Sequence, residues 1–253
     1  MNLISTWTIF IFEIRRSLRN TPSSFVAPVL TTGLYFVVFG QALGDQIDTI
    51  EGVKYGRFIV PGILMLAVMT QSIANASFGI YLPKFTGTIF ELLSAPVNLF
   101  EIIIGYVAAS TVRSLIIGFV VIITANHFMP LNVSHPGFMI VFLIVTCLSF
   151  SLIGFFFGLI ANSFEQIQLI PLLIISPLVF LGGSFYSISM LSPFWQKVSV
   201  FNPIFYLISG LKWTFFGRAD VPFEYSVVAL TLFLILSVFM IWVIFRTGFG
   251  LRS

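Results

Sequence analysis

The chain has 253 residues, of which 58% are hydrophobic and only 8% charged, with a mean hydropathy of +1.07. A water-soluble fold could not hide that much apolar surface, so the solvent is lipid. The formal net charge of +3 is too small and too scattered to mark a nucleic-acid binder, and the lone Cys147 excludes an intrachain disulfide or a cysteine metal cluster.

Residues 3–20 are too charged to span. Trp7, Phe10, Ile11, Ile14 and Leu18 share one helical face, with Glu13, Arg15, Arg16 and Arg19 off it. The pattern fits a helix over 1–23 lying in the membrane interface, apolar side down, and fits equally a positively charged topology anchor. The start lacks the basic, apolar and small-residue order of a cleaved signal.

Six apolar runs follow, at 25–43, 58–80, 102–126, 138–161, 167–186 and 226–245. Each is close to the roughly 20 residues that a spanning helix needs. The runs are continuous rather than alternating, which predicts helices and not barrel strands. The expectation is an all-α integral membrane protein, one domain over 1–253 with six transmembrane helices. An even number puts both termini on one side. Arg15, Arg16, Arg19, Lys84, Arg246 and Arg252 then face Lys54, Arg57, Lys197, Lys212 and Arg218 across the membrane. The first cluster usually dominates, so both ends are expected in the cytoplasm.

The loops differ in character. Residues 43–57 are polar and should lie outside. The inside stretch 84–96 carries Phe85, Ile89, Leu92 and Leu93 with helical period, Thr88 and Glu91 at capping-box spacing, and Pro96 at its end. This predicts a short amphipathic helix that either docks a partner or rests on the membrane. The segment 187–225 is long and apolar; its stretch 198–211 is too short to span and contains Asn202-Pro203, which suits a re-entrant or interfacial course.

Several residues are unusual for lipid. Arg113 sits inside the third run, where an arginine costs on the order of 3 kcal/mol, so it should face the bundle or a wet cavity. Gln71, Asn75 and Asn126 are neutral polar residues that either bond across helices or touch substrate. Glu101 and Glu165 read as interface and turn residues, and His127 and His135 as flanks of a short loop. Gly154 and Gly158 form a GxxxG pair that permits close helix approach. Pro171 and Pro177, with Gly182 and Gly183 beyond them, predict a kinked or broken fifth span, as gate or as packing.

Four stretches carry a family resemblance: Tyr55–Gly62 (YGRFIVPG), Glu91–Pro96 (ELLSAP), Leu181–Gln196 (LGGSFYSISMLSPFWQ) followed by Asn202-Pro203, and Gly248–Ser253 (GFGLRS). In this order they resemble the membrane subunit of ABC-2-type exporters, in particular the YadH-like permeases of bacteria. The resemblance runs the length of the chain. It implies a six-span permease of the bacterial inner membrane that forms a homodimer and pairs with two copies of a separate ATPase. It also implies an N-terminal interfacial helix, a coupling helix in the first inside loop and re-entrant helices before the last span. The coupling role would fall on Phe85, Ile89, Phe90, Glu91, Leu92, Leu93 and Pro96. No nucleotide site or cofactor is expected in this chain; ATP and magnesium would bind the ATPase. Substrate stays open among polysaccharides, lipids and drugs. A stand-alone ion- or proton-coupled transporter is the alternative; it would ordinarily show acidic residues in mid-span, and the runs contain none.

Overall fold

The computed structural model describes residues 3–19, 21–42, 47 and 49–247. Asp45, Asp48 and the C-terminal GFGLRS lie outside these, as do the side chains of Leu18 and Leu93.

The chain opens with helix α1 (Leu3–Arg19), then α2 (Thr21–Tyr35), which passes into a π-helical stretch, Phe36–Ala42. Strands β1 (Thr49–Ile50) and β2 (Val53–Lys54) make a minimal antiparallel hairpin. Its two-residue turn has φ of 53° at Glu51 and 78° at Gly52, the pair of positive angles that a type I′ turn requires. Helix α3 (Tyr55–Phe58) leads almost without a break into α4 (Val60–Thr86), followed by α5 (Ile89–Ser94), α6 (Leu99–Phe128) and α7 (Pro136–Ile160). Helix α8 (Phe164–Ile170), a π-helical stretch Pro171–Ile175 and α9 (Ser176–Leu181) form one continuous rod, not the broken span expected from the prolines. Two short helices, α10 (Pro193–Phe201) and α11 (Pro203–Phe216), precede α12 (Phe223–Thr247). Proline stands in the first turn of α4, α7, α10 and α11, where its missing N–H costs no helical bond.

Among the described residues, five segments are long and apolar enough to cross a membrane: Tyr55–Thr86, Leu99–Phe128, Pro136–Ile160, Phe164–Leu181 and Phe223–Ile244. The run expected to be the first span is shorter, with Val26–Gly40 as its apolar helical part. Pro28 interrupts α2, and the backbone leaves α geometry at Phe36.

The helices alternate in direction and define two ends. At one end, here the near end, Lys84 Nζ donates to the Leu159 carbonyl at 2.8 Å and the Tyr81 hydroxyl to that of Asn162 at 3.2 Å. At the far end, Ser134 N donates to the Phe215 carbonyl at 3.1 Å. Helix α4 is the axis: 67% of its most apolar window is buried, against 22% for α12. Lipid tails are as apolar as leucine, so helices associate through close packing and interhelical hydrogen bonds. Both devices occur along α4. Ser77 Oγ donates to the Gly154 carbonyl at 2.8 Å, and Ser110 Oγ to that of Ser72 at 3.2 Å. Ser151 Oγ then reaches Ser110 Oγ at 3.2 Å, so buried serines tie α4, α6 and α7 together.

Helix α1 turns the stripe Trp7, Phe10, Ile11, Ile14 away from the bundle, exposed or half-buried, while the residues buried against protein are Ile9 and Glu13. In lipid the apolar side needs no protein cover, and the polar side is the one that gains by turning inward.

The capping-box spacing at Thr88 and Glu91 is not realised. Thr88 is itself helical (φ −67°, ψ −12°), and its hydroxyl meets Thr86 Oγ1 at 2.9 Å instead. A capping box forms one helix later, where Asn98 caps α6 and Glu101 Oε2 accepts from Asn98 N at 3.2 Å.

Candidate functional site

A cleft of about 380 Å³ opens among α1, α4, α6 and α8. Arg113 lines it from α6, Asn75 from α4, Gln168 from α8, and Glu13 and Arg16 from α1. Arg113 and Asn75, singled out separately in sequence, are therefore brought together. Asn75 Nδ2 also donates to Ser114 Oγ at 3.4 Å.

Sequence reasoning missed Glu13. Its Oε2 pairs with Arg16 Nη2 at 2.6 Å, and Arg16 lies 6.0 Å from the centre of the Phe78 ring. Its Oε1 is buried and has no hydrogen-bond partner among the described residues. Burial pushes the Glu13 carboxyl up to about 7, although Arg16 and Arg113 pull it back down. The sequence offers little signal for it: Glu13 lies off the apolar stripe together with Arg15, Arg16 and Arg19, as on any interfacial helix.

Gln71 lies elsewhere. It lines a groove of about 270 Å³ among α2, α4 and α9, with Thr31, Thr32, Thr70 and Ser176. This groove borders the π-helical stretch between α8 and α9. Pro171 begins the π-helical stretch, and Ser176 Oγ donates to the Pro171 carbonyl at 3.2 Å. Pro177 stands in the first turn of α9. Gly182 ends α9, and a Cβ there would lie 2.7 Å from Ile208 of α11; Gly183 follows with φ of 77°. Five polar side chains beside a helix with altered hydrogen bonding make a surface that can meet polar cargo and can also flex.

The near end carries the third group. Helix α4 stops at Gly87, whose φ of 77° turns the chain into α5. Ile89 is buried, Leu92 half-buried, and Phe90, Glu91 and Pro96 are exposed. Phe85 is also exposed but anchored, with ring centroids 6.1 Å from Tyr81 and 5.0 Å from Phe164. Lys84 ties the same corner to the end of α7. The exposed aromatics thus project from a braced corner.

At the far end Lys212 was read as a loop charge. It is buried on α11, bonded to Asp220 Oδ2 at 3.0 Å and 4.2 Å from the centre of the Phe58 ring. Burial lowers its pKa, with Asp220 opposing. His135 stacks on Trp213 at 4.2 Å and Trp213 on Phe223 at 4.0 Å, locking α11 to α7 and α12.

A bundle of long apolar helices defines a polytopic membrane protein. The particular family is shown by sequence: the profile of the ABC-2 type transporter matches residues 4–216, and the chain belongs to that family. It is 39% identical over 246 residues to the inner membrane transport permease YadH of Escherichia coli K12, covering 97% of this chain and 96% of that protein. It is 23% identical over 224 residues to nodulation protein J of Neorhizobium galegae, with 87% and 84% covered. Against nodulation protein J of Rhizobium leguminosarum bv. viciae the identity is 23% over 193 residues. The chain is a transport permease, and its family implies a membrane subunit that pairs with an ABC ATPase subunit.

Proposed function

We propose that the chain is the transmembrane subunit of an ATP-driven exporter in the bacterial inner membrane. It works as a homodimer with two ATPase subunits, each holding the ATP and magnesium, and with both termini in the cytoplasm. The run 25–43 completes six spans, α1 serves as the interfacial helix, and α10 and α11 take a re-entrant course before α12. Cargo passes along polar surfaces such as the Gln71 groove, with the Pro171–Gly183 region as a gate. The observation that carries this reading is the braced corner at the near end, where Phe85, Phe90 and Glu91 stand exposed beyond the apolar bundle. A loaded aromatic pair on a rigid corner suits the transmission of movement from a soluble partner.

The test is reconstitution with the ATPase. Phe90→Ala and Glu91→Lys should insert normally but lose most transport and lose coupling of ATP hydrolysis to it. Retention of ATPase co-purification and of transport in both variants would reject the corner as the coupling site.

A second reading is favoured by one observation. Glu13 places a buried carboxylate, titrating at about 7, in the cleft with Arg113, and so supplies the acidic group a proton-coupled transporter needs. Transport that persists without the ATPase and collapses with a proton ionophore would select it.

A further inference from the structure

At the far end, three basic side chains from distant parts of the chain line one cleft of about 430 Å³. Lys54 and Arg57 come from the junction of β2 and α3, and Arg218 from just beyond α11. Ser134, Phe215 and Phe216 contribute the remaining surface that matters here. Among the described residues no carboxylate lines the cleft. Two described acids at this end are engaged elsewhere: the Glu51 carboxylate accepts from the Ser187 hydroxyl, and Asp220 holds Lys212.

Arg218 is tied to the hairpin. Arg218 Nη1 donates to the Glu51 carbonyl at 3.3 Å, across the tip of the type I′ hairpin. Lys54 ends β2 at the cap of α3, and Arg57 follows within that helix, so both enter the cleft from one short junction. Three like charges in a partly enclosed space repel one another, and the repulsion is relieved by an anion. Guanidinium forks match the oxygens of phosphate, while the half-buried Phe216 tolerates an apolar neighbour.

We propose that this cleft binds a phosphate-bearing anion, either the head group of an anionic phospholipid or a free phosphate monoester. The proposal does not depend on which side of the membrane the far end faces; in the orientation proposed above it faces outward.

The test uses the full chain in nanodiscs. In phosphatidylcholine discs, glycerol phosphate is titrated and the thermal unfolding midpoint is followed. In a second series the discs contain increasing phosphatidylglycerol with nothing added in solution. Saturable stabilisation in the first series identifies a free phosphate monoester, and in the second a lipid head group. The triple variant Lys54→Gln, Arg57→Gln, Arg218→Gln should weaken the response about tenfold or more. Lys197→Gln, a basic residue on α10 outside the cleft, should leave it unchanged. Should the triple variant fail to insert, Arg218→Gln alone, at an exposed position, is held to the same criterion. Absence of stabilisation by both probes overturns the proposal, as does equal weakening by the cleft variant and by Lys197→Gln.

Discussion

Glu13 Oε2 accepts a 2.6 Å hydrogen bond from Arg16 Nη2 inside the cleft that Arg113 lines from α6. One carboxylate therefore shares a small buried volume with two guanidinium groups. This couples the first helix of the chain to the middle of a spanning helix, and it makes the ionisation of Glu13 a property of how α1 sits on the bundle.

The pH dependence follows with a definite sign. Burial raises the Glu13 pKa from 4.5 to about 7, so between those values the folded protein holds a proton that the unfolded chain has released. Stability on this account falls as pH rises from 4.5 to about 7, by on the order of 3 kcal/mol, and is level above that. Glu13→Gln removes the slope. Thermal unfolding midpoints of both proteins between pH 4 and pH 8 check it, and an unchanged slope in the variant would refute the assignment to Glu13.

Arg113→Leu should insert at least as well as the parent, because it deletes an insertion cost of on the order of 3 kcal/mol. It should nonetheless transport poorly, since it removes a cation from the cleft shared with Glu13 and Asn75. Arg113→Lys should keep part of the activity if charge alone matters. Normal transport by the leucine variant, measured at equal membrane abundance, would show the residue to be a tolerated oddity.

Lys212→Met leaves Asp220 as a buried charge without its partner, a change that costs about 3–5 kcal/mol. Adding Asp220→Asn removes that charge and should recover a large part of the loss. The double-variant cycle by thermal unfolding reads the coupling directly, and additive losses would show that the pair does not act as a unit.

Reading the chain for lipid-length apolar runs recovers α4, α6, α7 and α12 because a bilayer imposes that length on any spanning helix. Pro171 was legible too: the π-helical stretch starts there because proline cannot donate the bond that α geometry requires. Residues whose neighbours come from elsewhere in the chain were not legible. Glu13 and Lys212 look like surface charges in sequence. Their burial depends on Gly79 and Tyr106 in one case and on Phe58 and Asp220 in the other. The three far-end cations were read as scattered for the same reason, since Arg218 meets the hairpin only after α11 has folded back. The capping box was assigned to Thr88 by spacing alone, while Asn98 and Glu101 have both the spacing and the extended backbone at the cap that the motif needs.

The GxxxG pair gives the sharpest structural prediction. A Cβ placed on Gly154 would lie 2.5 Å from the Ile73 carbonyl oxygen, and one on Gly158 would lie 2.5 Å from that of Ser77. Both obstacles are backbone of α4, so no side-chain rotation can make room; the helices must separate. Separation also breaks the Ser77 to Gly154 bond of 2.8 Å and loosens the serine chain to α6. Gly158→Val should therefore destabilise by about 3 kcal/mol, at the upper end of the range for overpacking, because the strain is shared by a whole helix pair. Gly137→Ala is the control, since a Cβ there meets nothing within 4 Å. Thermal unfolding of the two variants in the same lipid decides the matter. Equal midpoints would mean that α4 and α7 do not approach as closely as described.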